Sequence, residues 1–141
     1  EDLEGLTAMD LVIKESLRLV APVPLVMRKT VTDTVIDGYY IPSGMLVAIT
    51  PAVNHFAQTV WSEPDRFDPT RFESPRREDQ AHRFAWLPFG GGAHKCIGMN
   101  FGTLEVKAIL HEMLRDDYHV RWDNTSLPIP VDGLPITLRR R

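Results

Sequence analysis

Two stretches of the chain carry apolar residues at helical spacing. From residue 7 onward, Met9, Ile13, Leu17 and Val20 recur three or four apart, leaving Lys14 and Arg18 off the stripe. That pattern predicts an amphipathic helix. Thr7 is placed to cap it, and Asp10 three residues later comes close to a capping box. Ala21-Pro22-Val23-Pro24 should end it, because proline lacks the amide and clashes with the preceding turn. The second stretch runs from Met99 to Leu114, where Val106, Ile109, Leu110, Met113 and Leu114 repeat at i, i+3 and i+4.

Between these helices the pattern changes to extended chain. Residues 31–36 and 39–41 are rich in β-branched and aromatic side chains and flank Asp37-Gly38, a favoured hairpin turn. Pro42-Ser43-Gly44 predicts a second turn and residues 45–50 a third strand, together a small antiparallel sheet. From Pro51 to Pro88 the periodicity disappears. Its aromatics (Phe56, Trp61, Phe67, Phe72, Phe84, Trp86) are too many for a disordered linker. An ordered but irregular segment is expected, of the kind that faces a ligand or partner. The tail, residues 120–141, predicts one or two short strands joined by a turn. The fold class is therefore mainly α with a small antiparallel β-sheet.

Composition narrows the function classes. The chain has 141 residues, 43% hydrophobic and 25% charged, with a formal net charge of -3. That is an ordinary globular domain, and no nucleic-acid partner is expected. Arg139-Arg140-Arg141 reads as a solvated end. No apolar run approaches the roughly 18 residues of a membrane span, and no signal pattern opens the chain. Glu1-Asp2-Leu3-Glu4-Gly5 reads as a segment entered midway, so residues 1–141 are expected to be part of a longer chain. The single cysteine excludes an intramolecular disulfide and a cysteine-rich zinc site.

That cysteine stands in Phe89-Gly90-Gly91-Gly92-Ala93-His94-Lys95-Cys96-Ile97-Gly98. A loop with little side-chain bulk brings it to the mouth of the second helix, where the dipole favours negative charge on sulfur. Glycines let backbone approach a large flat ligand and tolerate positive φ. Read from residues alone, three possibilities stand: a glycine-rich turn before a buried cysteine, a phosphate cradle, and a cysteine nucleophile with His94 as base. Neither phosphate-loop pattern is matched, and nothing fixes the geometry of a Cys–His pair.

The ten-residue string resembles the cytochrome P-450 signature F-x-x-G-x-[RH]-x-C-x-G, matched by Phe89, Gly92, His94, Cys96 and Gly98. Glu15-Ser16-Leu17-Arg18 resembles the family's E-x-x-R, followed as expected by Pro22 and Pro24. Residues 64–72 resemble its P-x-x-F-x-P-x-R-F segment, and Arg28 ahead of the hairpin resembles the arginine that binds a haem propionate. Residues 71–79 and 85–89 further resemble the sterol 14α-demethylase branch and its bacterial relatives.

The resemblance implies the C-terminal, haem-binding part of a haem-thiolate monooxygenase. Cys96 would ligate the iron of haem b, Phe89 would pack beside the sulfur, and His94 and Arg28 would reach propionates. Gly92 and Gly98 would shape the loop. Glu15, Arg18 and Arg71 would form a buried structural triad. With no C-x-x-C-H the haem would be held non-covalently. The partners implied are a hydrophobic small-molecule substrate and a ferredoxin, a flavodoxin-like donor or a reductase. Lys95, Lys107 and Arg115 lie near the cysteine loop and along the following helix, and some of them are expected on the face such a donor would meet. A cytoplasmic setting and an inactive isolated segment are expected too. A haem-thiolate peroxygenase or isomerase, or a non-catalytic haem-binding protein, remain the alternatives.

Overall fold

The first amphipathic stretch forms α1, Thr7–Leu19, in the computed structural model of the chain. The structure describes residues 5–115 and the backbone of two short strands beyond them. Thr7 is not the cap: the helix begins one residue earlier, with the Met9 and Asp10 amides donating to the Leu6 carbonyl. Ile13 is buried, whereas Val20, which falls just past the helix, is exposed. The face of α1 that is most completely buried instead carries Glu15 and Arg18.

Extended chain follows in four strands: β1 Val26–Lys29, β2 Thr34–Ile36, β3 Tyr39–Ile41 and β4 Leu46–Ile49. β2 and β3 form the predicted hairpin. Asp37 (φ 50°) and Gly38 (φ 82°) both take left-handed conformations at its tip, which the tight two-residue turn requires. The predicted single sheet is corrected. β4 pairs not with the hairpin but with β1, Val26 opposite Ile49 and Lys29 opposite Leu46, so two separate ladders form. Asp33 holds the hairpin base by accepting from the Tyr40 hydroxyl and the Ser43 amide, each at 2.8 Å.

The segment expected to lack regular structure contains some. Pro51–His55 is a short helix, α2, with proline in its first turn, where its missing amide costs nothing. Single 3-10 turns lie at Pro69–Phe72 and Glu78–Gln80, and another at Gly92–His94 in the cysteine loop. α3 then spans Met99–Arg115, as its periodicity predicts. Strands β5, Trp122–Asp123, and β6, Ile129–Pro130, pair antiparallel in the tail. The rest of the tail, residues 131–141, lies outside the described residues. Among those residues no helix is long and apolar enough to cross a membrane.

The chain divides into two compact units. One comprises Glu1–Asp10 and Gly98–Arg141, the other Leu11–Ile97. In the second unit the apolar core is small: Trp61, Phe72 and Ala85, with Leu11, Val60 and Trp86 packed against it. The largest fully buried side chains there are Trp61, Arg18, Arg71, His55 and Glu15. Four of those five are polar or charged, so this unit is organised around hydrogen bonds as much as around apolar burial.

Candidate functional site

Glu15 and Arg18 lie three apart on α1 and therefore share a face. The pair is bidentate: Arg18 Nε donates to Glu15 Oε2 at 2.7 Å and Arg18 Nη2 to Oε1 at 2.9 Å. Arg71, from the 3-10 turn at Pro69–Phe72, donates through Nε to the same Oε1 at 3.0 Å, and the Asp68 amide joins it at 2.9 Å. All three side chains are wholly excluded from solvent.

Further guanidinium donors go to loop backbone and to Glu78. Arg71 Nη1 reaches the Ser62 carbonyl at 2.8 Å and Glu78 Oε2 at 2.7 Å, and Nη2 reaches the Arg66 and Glu63 carbonyls at 3.0 and 3.4 Å. Arg18 Nη1 takes the His55 carbonyl at 2.7 Å. Burial alone would push the Glu15 carboxyl up. The hydrogen bonds from Arg18 and the Asp68 amide, with the charge of both arginines, outweigh it and hold the group below its ordinary 4.5. Outside this centre Arg76 ties Asp68 (2.7 Å) to Glu78 (2.8 Å), and its hydrogen bond first, then that of Thr70, keeps the Asp68 carboxyl well below the usual range.

His55 joins this knot to the cysteine loop. Its Nδ1 lies 3.1 Å from the Arg18 carbonyl, and its Nε2 accepts from the Leu87 amide at 2.8 Å. An amide can only donate, so Nε2 is bare and Nδ1 carries the proton. Two more bonds pin the same stretch: Asn54 Nδ2 to the Phe84 carbonyl at 3.1 Å and Trp86 Nε1 to the Lys14 carbonyl at 3.1 Å. Rings continue from core to loop, Trp61 to Phe72 (5.7 Å), Phe72 to Trp86 (6.3 Å) and Trp86 to Phe89 (6.0 Å).

The loop closes on itself when the Cys96 amide donates to the Phe89 carbonyl at 2.9 Å. Gly90 (φ 70°) and Gly92 (φ 68°) take left-handed turns inside it. A side chain at Gly91 would press on Leu87, with 3.3 Å from its Cβ to Cδ2. The loop thus borders a cavity of about 390 Å³ with a mostly apolar lining, to which Cys96, His94, Phe89 and Arg28 all contribute. Val23, Val26 and Pro88 are among its apolar walls. Cys96 is exposed, and Arg28 from β1 is exposed, its Nη1 donating to the Met27 carbonyl at 2.9 Å.

This donor set fits haem. One free thiol faces an apolar, glycine-floored cavity, and two groups capable of positive charge stand on its lining for the acidic edge of a flat macrocycle.

Four sequence-predicted residues (Arg28, Phe89, His94 and Cys96) therefore meet at one cavity, and Glu15, Arg18 and Arg71 meet in the knot. Gly92 shapes the loop without lining the cavity. Gly98 belongs to the other unit, where its carbonyl accepts from the Gly102 amide at 2.8 Å. Of the three basic residues expected to supply a docking face, Lys107 does not: its ammonium is nearly buried and pairs with Asp10 at 2.7 Å. The Arg115 side chain lies outside the described atoms. Sequence reasoning missed His55 and the Glu78–Arg76–Asp68 ties. Proline after Thr50 signalled the helix that carries His55, but no periodicity marked the histidine itself.

Comparison with known proteins agrees with the geometry. The family model described as cytochrome P-450 matches residues 1–135. A Mycobacterium tuberculosis protein named cytochrome P-450 136 is 52% identical over all of this chain, which covers 30% of it. A sterol 14α-demethylase from Mycolicibacterium vanbaalenii is 39% identical over 81% of this chain and 25% of its own. Among solved structures, a retinoic acid bound cyanobacterial CYP120A1 superposes with a TM-score of 0.78 at 29% identity, over 93% of this chain and 32% of that one. The chain thus spans about a third or less of the relatives it matches.

Replacing Glu15 or Arg71 with Ala should abolish stable haem incorporation in the full-length protein, since it strands buried charge at a cost of about 3–5 kcal/mol. Haem content per protein after purification, read beside the thermal midpoint, checks this.

Proposed function

The chain belongs to the cytochrome P-450 family, and we propose on that footing that it is the C-terminal haem-binding part of a longer monooxygenase. Family members bind haem through a cysteine thiolate; here Cys96 is the sulfur that would hold the iron of haem b. The observation that carries this reading is the convergence of Cys96, Arg28 and His94 on one apolar cavity. Arg28 and His94 would take the propionates, and Phe89 would shield the sulfur from the side of Trp86.

In the proposed reaction one oxygen atom of O2 enters a C–H bond of a hydrophobic small molecule and the other leaves as water. Haem, when bound, supplies oxygen activation, to which a thiolate ligand contributes electron density that favours O–O cleavage. The chain's residues supply the rest. Val23, Val26 and Pro88 give the cavity apolar walls, and the Cys96-to-Phe89 backbone bond holds the backbone of the cysteine in place. Electrons would come from a ferredoxin, a flavodoxin-like donor or a reductase. A docking role for Lys95, which is exposed, survives the loss of Lys107 from that face. A cytoplasmic setting belongs to the same proposal.

The isolated 141-residue chain should bind haem poorly. Ile97, Phe101, Val31 and Tyr39 are largely exposed, apolar surface of the kind a remainder of the protein would cover. Titration of haem into the refolded segment, followed by absorbance, checks this; tight stoichiometric uptake with a thiolate spectrum would contradict it.

In the full-length protein, Cys96→Ser keeps the side-chain size and removes the soft donor. The reduced carbon monoxide complex should lose the red-shifted Soret band of thiolate ligation, and oxygen-dependent turnover should collapse with it. A retained thiolate band would exclude Cys96 as ligand, and no other cysteine exists in this chain to replace it.

A further inference from the structure

His55 is fully buried, yet it does not line the cavity. Its contacts run in two directions. Toward α1 it makes a reciprocal pair with Arg18: the Arg18 guanidinium donates to the His55 carbonyl, and the His55 ring donates to the Arg18 carbonyl. Toward the cysteine loop it accepts from the Leu87 amide at 2.8 Å. The next residue is Pro88, which has no amide, so Leu87 carries the last backbone donor before Phe89. Phe89 in turn receives the Cys96 amide. A single acceptor atom, His55 Nε2, thus stands at the start of the loop whose far end is Cys96.

We infer that His55 is the positioning residue of the cysteine loop, acting through its unprotonated Nε2 on the Leu87 amide to set where Cys96 presents its sulfur. The inference rests on the proposed role of Cys96 and extends it to a residue outside the cavity lining. Protonation would undo the arrangement, because Nε2 would become a donor aimed at another donor. The surroundings resist that proton. Burial first lowers the affinity of the imidazole below its ordinary 6.5, the hydrogen bond to the Arg18 carbonyl opposes this, and the Arg18 charge adds to the lowering. Among the groups bonded to His55, Arg18 from α1 is the charged side chain; the stretch before the loop contributes only the Leu87 backbone. Glu15 lies beyond Arg18 and is bonded to both guanidiniums. Because the folded state holds its proton less tightly than the unfolded chain, the contribution of His55 is present above pH 6.5 and is lost as pH falls below it.

Two substitutions separate loop positioning from packing. An asparagine amide reaches about as far as Nδ1 and can serve the Arg18 carbonyl; a glutamine amide reaches about as far as Nε2 and can accept from Leu87. Each keeps one of the two bonds. In the full-length holoprotein, His55→Gln should retain the thiolate-type carbon monoxide spectrum and lack the loss that begins below pH 6.5. His55→Asn should lose that spectrum at neutral pH, with the Leu87 amide exchanging about tenfold faster or more. Equal behaviour of the two variants, or Asn outperforming Gln, would overturn the inference. Should neither variant fold, wild-type hydrogen exchange decides: Leu87 protection should fall as pH drops through the histidine range, and constant protection would overturn it. A wild type without any thiolate spectrum would sink the reading of Cys96, while the Leu87 exchange would still report on the tie itself.

Discussion

One carboxylate shared by two buried guanidiniums is the constraint on which the rest of the Leu11–Ile97 unit depends. Glu15 receives four hydrogen bonds, two from Arg18, one from Arg71 and one from the Asp68 amide. Charges taken this far from water are tolerated only when geometry and hydrogen bonding compensate for lost solvation. The compensation here is structural as well as electrostatic. The guanidinium hydrogen bonds that do not go to Glu15 or Glu78 go to carbonyls of residues 55–66, a stretch without regular ladders to satisfy it. The knot substitutes for secondary structure in holding irregular chain.

That explains which parts were legible in the sequence. α1, α3 and the β2–β3 hairpin declared themselves through local signals: helical spacing in two cases and Asp37-Gly38 in the third. The pairing of β1 with β4 spans the hairpin, and a non-local pairing leaves no mark in a run such as Val-Met-Arg-Lys. Residues 51–88 showed no period because their order comes from side chains bonding backbone, a pattern with no fixed spacing. Glu15, Arg18 and Arg71 were found through the family resemblance; from spacing alone Glu15 and Arg18 look like surface decoration. His55 had neither signal. Its role depends on the Leu87 amide, thirty-two residues away, which only the fold brings to it.

The same architecture connects support to site. α1 contributes Arg18 to the knot and the Lys14 carbonyl to Trp86, and α2 contributes His55 and Asn54. These bonds converge on residues 84–87, immediately before the loop that ends at Cys96. Past that point the loop needs little further help: left-handed glycines turn it, and the Cys96-to-Phe89 bond closes it. A cavity with one sulfur, apolar walls and two flanking basic residues follows from the placement of that loop beside β1.

This buried charge centre, rather than the small aromatic core, holds the cysteine loop in place. Amide hydrogen exchange of full-length wild type and Glu15→Gln tests this dependence, because Gln keeps the volume while removing the charge and one of the two acceptor oxygens. Protection at Asp68, Leu87 and Cys96 should fall together in the variant while the β2–β3 hairpin is unaffected. Unchanged protection at Leu87 and Cys96, with Asp68 alone exposed, would contradict it.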